Sequence, residues 1–306
     1  MQDSRIHLEH IAVLLPDSLR LSRAVETAVK LAEREKARLT VLVPGSELER
    51  TLARHTLDVD TLDQLVSEHD LARNRHLDEL LAGIRPRVAQ VSYQVVSGRR
   101  RHEAILEWMQ ARRPDLLVKD IGKGSRRVAH LFTPLDWHLM RGSPCPLMLL
   151  GRGVAHGPVV AALDLVGARE KPLSLDQQVM TWGQWLSDWQ QCPLHTVHAF
   201  ETVENLRLPF GMDRLMPEDD LKRVETEHRQ LLDRASASVN VPEQNRHLIH
   251  SPPGRAIPAL CDELDARMLV LGTARRGRLE RLVMGSTAES IIHALDGDLL
   301  AIPPID

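Results

Sequence analysis

The chain contains a part of itself twice. Leu116–Leu150 aligns without a gap onto Met268–Ile302 at a constant offset of 152, and such self-similarity constrains the fold more than any single motif. Ahead of each copy the pattern also repeats. In the first half Ile11–Leu15, Leu39–Val43, Val88–Val96, Leu116–Val118 and Pro146–Leu150 read as strands. Most are continuous apolar runs, as in parallel strands buried on both faces. Between them helices are predicted from Ser18, as N-cap, to Lys36, then over Val59–Ile84, Glu103–Ala111 and Thr133–Arg141. The second half repeats the order. Its strands are Val159–Leu163, Leu194–Ala199, His247–His250, Met268–Leu271 and Leu299–Ile302. Its helices are Leu175–Trp189, Glu218–Ala237, Ala256–Leu264 and one opening at Gly285. Alternating strands and helices make an α/β protein of two tandem, doubly wound, five-stranded parallel sheets. With 306 residues for two domains, the division falls at 1–152 and 153–306, near Gly153.

The stretch Asp265–Pro304 carries the most chemistry. A strand ends at Gly272, an arginine-rich connection follows (Arg275, Arg276, Gly277, Arg278, Arg281), and Gly285-Ser286-Thr287 opens a helix. Glycine lets a backbone approach a ligand closely, and the free N–H groups and dipole of a helix start favour an anion. A phosphate cradle and a plain helix start both fit, because Ser286 and Glu289 have the spacing of a capping box.

The first copy is an internal control. At the constant offset Gly272 corresponds to Asp120, Gly285 to Thr133 and Ser286 to Pro134. Proline has no N–H to offer, aspartate brings its own negative charge, and Thr-Pro suits an ordinary N-cap and first helical residue. Lys123, Arg126 and Arg127 remain as a basic loop. The first strands differ in the same sense: Asp164 directly follows the strand in the second half, where the first half has Pro16, with Asp17 one step late. In the order 3-2-1-4-5, strands one and four flank the switch point where such sheets bind ligands, so Asp164 and Gly272 are expected to face one crevice.

"GTARRGRLERLVMGS" is similar to the G-x2-G-x9-G-[ST] nucleotide loop of the universal stress proteins. Gly272, Gly285 and Ser286 fall on three of its four positions; Arg275 stands at the fourth, with Gly277 two residues later. Phe132–Leu150, "FTPLDWHLMRGSPCPLMLL", resembles the degenerate first-domain segment of the tandem, E-type subgroup. The resemblance spans both halves and implies an adenine nucleotide alpha hydrolase-like fold in each. It also implies a stress-response regulator that dimerises and holds ATP or a related adenine nucleotide without defined turnover. Residue by residue, it assigns the nucleotide to Asp164, Gly272, Gly285, Ser286 and Thr287; Arg275, whose guanidinium offers a fork of donors to phosphate, and Gly277 join them as candidates from the loop itself. Magnesium is left open. The alternative is an interaction scaffold whose sites are vestigial, and slow ATP hydrolysis is a third reading.

The remaining features give little to other functions. A net charge of −3 and a pI near 6.6 offer no general attraction to nucleic acid or anionic membranes. No run approaches the length of a membrane span and no signal h-region opens the chain. Cys145, Cys192 and Cys261 are few, odd in number and widely spaced, as in a reduced cytoplasmic protein. Trp182, Trp185 and Trp189 share one helical face and read as packing. His195/His198 and His247/His250 lie three apart on strands, pointing to opposite faces, so neither pair chelates a metal alone. No nucleophile elbow, zinc-protease helix or complete P-loop is present, and no catalytic residue is assigned.

Overall fold

The computed structural model describes residues 6–45, 59–98, 100–122, 132–151, 155–165, 174–202, 217–273 and 284–304. They form two compact units. His7–Asp120 and Pro134–Leu150 make one; the described residues from Gly151 onward, with Ile6, Ile121, Gly122, Phe132 and Thr133, make the other.

The first-named unit runs β1 (His10–Leu14), α1 (Arg23–Glu35), β2 (Arg38–Pro44), α2 (Val59–Ile84), β3 (Val91–Val96), α3 (Arg101–Arg112), β4 (Leu116–Asp120), α4 (Pro134–Gly142) and β5 (Leu147–Leu150). Its strands lie in the order β3-β2-β1-β4-β5, and each adjacent pair is parallel. β1 and β5 are buried along their whole length and β4 over Leu116–Lys119. That two-sided burial, about 1.5–3 kcal/mol for each large apolar side chain, explains why these strands read as unbroken apolar runs.

The second unit repeats the plan: β6 (Val159–Ala162), α5 (Ser174–Gln190), β7 (Leu194–Phe200), α6 (Glu218–Ala237), β8 (Arg246–His250), α7 (Pro253–Glu263), β9 (Met268–Gly272), α8 (Ser286–Ala294) and β10 (Leu299–Ile302). The order β8-β7-β6-β9-β10 is again parallel throughout. The strands of each unit therefore have the 3-2-1-4-5 order the sequence predicts.

The duplication extends to the backbone. Lys36 after α1 and Gln191 after α5 both adopt left-handed dihedrals, with φ of 56° and 51°. Arg113 after α3 and Asp265 after α7 do the same, at 44° and 47°. Both pairs stand at helix ends, where a left-handed residue closes the last turn and glycine is the usual choice.

Three local expectations shift. The cap of α1 is Ser22 rather than Ser18: Ser22 Oγ accepts the Val25 N–H at 3.3 Å, and the helix begins at Arg23. β3 begins at Val91, not Val88. α7 begins at Pro253, where proline suits the first turn, and carries Pro258 inside it. α7 packs against α8, and a β-carbon on Gly254 would run into Ser290 Oγ. That close approach keeps position 254 a glycine.

Candidate functional site

β6 and β9 are neighbours, paired from Val159↔Met268 to Ala162↔Leu271. Gly272 and Asp164 thus follow at adjacent strand ends, on the edge of the sheet that binds ligands in this architecture. Asp164 is half-buried, and its N–H donates to Asp176 Oδ1 of α5 at 3.1 Å. Two carboxylates therefore stand on this side of the crevice. They suit hydroxyl or amino donors and repel phosphate, so any phosphate belongs on the other side.

That other side is the start of α8. Gly285 is its N-cap, in extended backbone with φ −65° and ψ 142°, and no side chain among the described residues caps it. Ser286 and Thr287 form the exposed first turn, while Ala288, Ile291 and Ile292 bury the opposite face. The first intrahelical bond runs from Glu289 N–H to the Gly285 carbonyl, at 3.0 Å. Ser286 is thus the first helical residue rather than the N-cap, and the capping box its spacing suggested does not form. The N–H groups of the first turn have no intrahelical acceptor, and an anion can receive them. Thr273, one residue past β9, is pinned by donating both N–H and Oγ1–H to the Ile302 carbonyl, at 2.9 and 3.2 Å. Arg275 and Gly277 lie outside the described residues.

Gly272 has a neighbour the sequence did not reveal. A β-carbon there would lie 2.8 Å from Leu175 Cδ2 and 2.9 Å from its Cγ. Packing of α5 alone therefore keeps this position small.

At the equivalent position of the first unit the strand ends in a carboxylate that already has a partner. Asp120 Oδ1 accepts the Ala24 N–H at 3.0 Å, capping α1, while Oδ2 is buried without a partner among the described residues. Lys119 Nζ donates to Asp136 Oδ1 and to the Asp120 carbonyl, both at 2.6 Å. Asp136 is fully buried and Lys119 nearly so. At the offset of the repeat these two positions are Leu271 and Ala288, both buried and apolar. Asp17 pairs with Arg101 at 2.7 Å.

Sequence spacing also missed an imidazole cluster on β7. His195 and His198 do take opposite faces, but each finds a histidine on another element. His195 Nδ1 lies 2.9 Å from His247 Nε2 of β8, and His198 Nε2 lies 2.7 Å from His228 Nδ1 of α6. Burial holds His195, His228 and His247 below the usual imidazole range; His195 is lowered further by His247, while Glu227 partly offsets the effect at His228. Among the described residues no group of three or more His, Cys, Asp or Glu is placed to hold a metal ion. Trp182 is buried, with Trp185 and Trp189 half-buried beside it and neighbouring rings 5.4 and 6.2 Å apart. Burial pushes the Cys145 and Cys261 thiols up to about 12.

The chain belongs to the universal stress protein family, which matches residues 8–151 and again 165–303. The two matches lie in tandem, and relatives over almost the whole length are of the E type. "Universal stress protein E" of Photorhabdus laumondii is 26% identical over 304 residues, covering 97% of this chain and 95% of the relative. A universal stress protein E homolog of Haemophilus influenzae is 24% identical, with 97% of each covered. Among solved structures, a functionally unknown protein from Pseudomonas aeruginosa superposes with a TM-score of 0.75 at 22% identity, over 97% of this chain and 93% of that one. No described helix is long and apolar enough to cross a membrane.

Proposed function

We propose that this protein is a stress-response regulator whose second domain, 153–306, binds ATP or a related adenine nucleotide, while its first, 1–152, does not. The observation that carries the reading is the contrast between two equivalent crevices. In one, Asp120 sits on the Ala24 amide and Lys119 is buried against Asp136; in the other, Gly272 brings no side chain and no side chain among the described residues caps the first turn of α8. Ser286 and Thr287 would give backbone and hydroxyl donors to phosphate, and Gly285, with Arg275 and Gly277 by sequence alone, belongs to the same proposed set. Asp164 would accept from a sugar hydroxyl or base amino group. Among the described residues of this crevice no imidazole stands beside a hydroxyl or thiol, and the reading is of a ligand held rather than turned over. A homodimer in the cytoplasm completes the reading.

Equilibrium dialysis tests it. At about 1 mM free ATP a site worth about 4 kcal/mol is already half filled, and the reading predicts binding that saturates at one equivalent per chain. No bound adenine nucleotide at that concentration contradicts it.

A second reading has its own observation. Leu175 over Gly272, and Asp176 on the Asp164 amide, account for both positions without a ligand. The protein is then a scaffold acting through its surfaces, and Ser286→Pro leaves its biological activity intact.

A further inference from the structure

The His198–His228 contact has no counterpart in the first unit. Counted from the registers of β1 with β2 and of β6 with β7, the position equivalent to His198 is Val43 of β2, which is fully buried. Valine therefore satisfies the fold at this position, and an imidazole that is only 1% exposed has to be explained by what it touches. His198 Nδ1 lies 3.0 Å from the Leu163 carbonyl, which can only accept, so Nδ1 carries a hydrogen. In the neutral ring Nε2 then holds a lone pair, and His228 Nδ1–H donates to it across 2.7 Å. His228 also stacks on Phe200, centroids 4.2 Å apart, and Phe200 on His250 at 4.9 Å.

This geometry counts protons. A first proton goes to His228 Nε2 and leaves both hydrogen bonds standing, though burial opposes the charge. A second would set N–H against N–H, and charge against charge, across 2.7 Å; the contact then has to open. Once α6 is lifted, both imidazoles titrate near their ordinary range and take up what the closed form refuses. Glu227 and Arg229 flank His228 on α6. On α5, Asp176 is bonded to the Asp164 amide and Asp188 to Gln184; Asp164 follows Leu163, and His250 of β8 is bonded to Thr202. Glu227 is the acidic group that favours the charged form of His228. Further along α6, Ser236 with Thr196 and Asp233 with Arg246 hold the C-terminal half by contacts that need no imidazole.

We infer that the His198–His228 pair is an acid-sensitive clasp: closed, it holds the middle of α6 to β7, and proton uptake in mild acid releases that part of the helix. The inference is independent of nucleotide binding.

Hydrogen exchange read by mass spectrometry on the full chain tests it. From about pH 7.5 to about pH 5, after correction for intrinsic rates, amides near 224–231 should exchange at least about tenfold faster, the equivalent of one unit of pKa difference. α1 serves as the control and should show no such step. His198→Val, copying the twin strand, should fold and lose the step. Should it not fold, His228→Leu carries the same test. A wild type without the step, or a folded variant that keeps it, overturns the clasp. So does one equivalent of zinc bound at the pair at neutral pH, which would make a metal and not a proton its occupant.

Discussion

Asp120 and Gly272 occupy the same position of the duplicated sheet, one a carboxylate seated on the Ala24 amide, the other a bare backbone beneath Leu175. If Asp120 serves α1 as a cap, Asp120→Ala should destabilise the first unit by about 1 kcal/mol, the usual worth of such a bond. Urea unfolding followed in that unit measures it, and an unchanged midpoint would show that the cap is idle.

The buried pair Lys119–Asp136 allows a sharper comparison, because the twin positions are Leu271 and Ala288. Lys119→Leu alone leaves Asp136 buried without its cation and should cost about 3–5 kcal/mol. The double variant Lys119→Leu/Asp136→Ala copies the second unit and should recover most of that loss. Chemical denaturation of the single and double variants checks both figures.

Much of this was legible in the residues and some could not be. The repeat and the two-sided apolar strands were, because burial on both faces leaves unbroken runs such as Leu147–Leu150. So was the change of local chemistry at the two positions where the copies differ, Asp120 for Gly272 and Pro134 for Ser286. Leu175 over Gly272 and His228 beside His198 were not. Those contacts join elements far apart in the chain, and helix or strand periodicity says nothing of what lies across a crossover. The cap of α1 was not legible either: Ser18 and Ser22 both precede the apolar face, and only the backbone decides for Ser22.

Lys36 and Gln191 hold left-handed backbone at equivalent helix ends. Glycine adopts that conformation without the Cβ clash, so Lys36→Gly and Gln191→Gly should each stabilise by about 0.5–1 kcal/mol. Their distance in the chain and separate surroundings make the gains additive. Thermal unfolding of the single and double variants tests this.

The three thiols should differ in reactivity. Cys145 and Cys261 are buried and pushed up to about 12, whereas Cys192 is half-buried and raised less. Thiolate is the reactive form, so a disulfide reagent near neutral pH should label Cys192 first in the native protein. Equal labelling of all three without denaturant would contradict the packing described.

Stability should fall on acidification. His195, His228 and His247 have folded values depressed by burial, so the unfolded chain binds more protons below its ordinary imidazole value. The stabilisation is complete above about pH 6.5 and is lost as the pH drops through the depressed folded values. Melting temperatures measured across that window should decline, and a flat profile would refute the assignment.

The most direct measurement is calorimetric titration of ATP into the wild type and Ser286→Pro. Proline is tolerated at a first helical position, as Pro134 shows in α4, and it removes one N–H from the turn assigned to phosphate. The account predicts one site in the wild type and, in a variant still folded, affinity about tenfold or more weaker, as expected for losing a hydrogen bond to a charged group. Equal affinity in the two proteins, or no heat of binding in either, would contradict it.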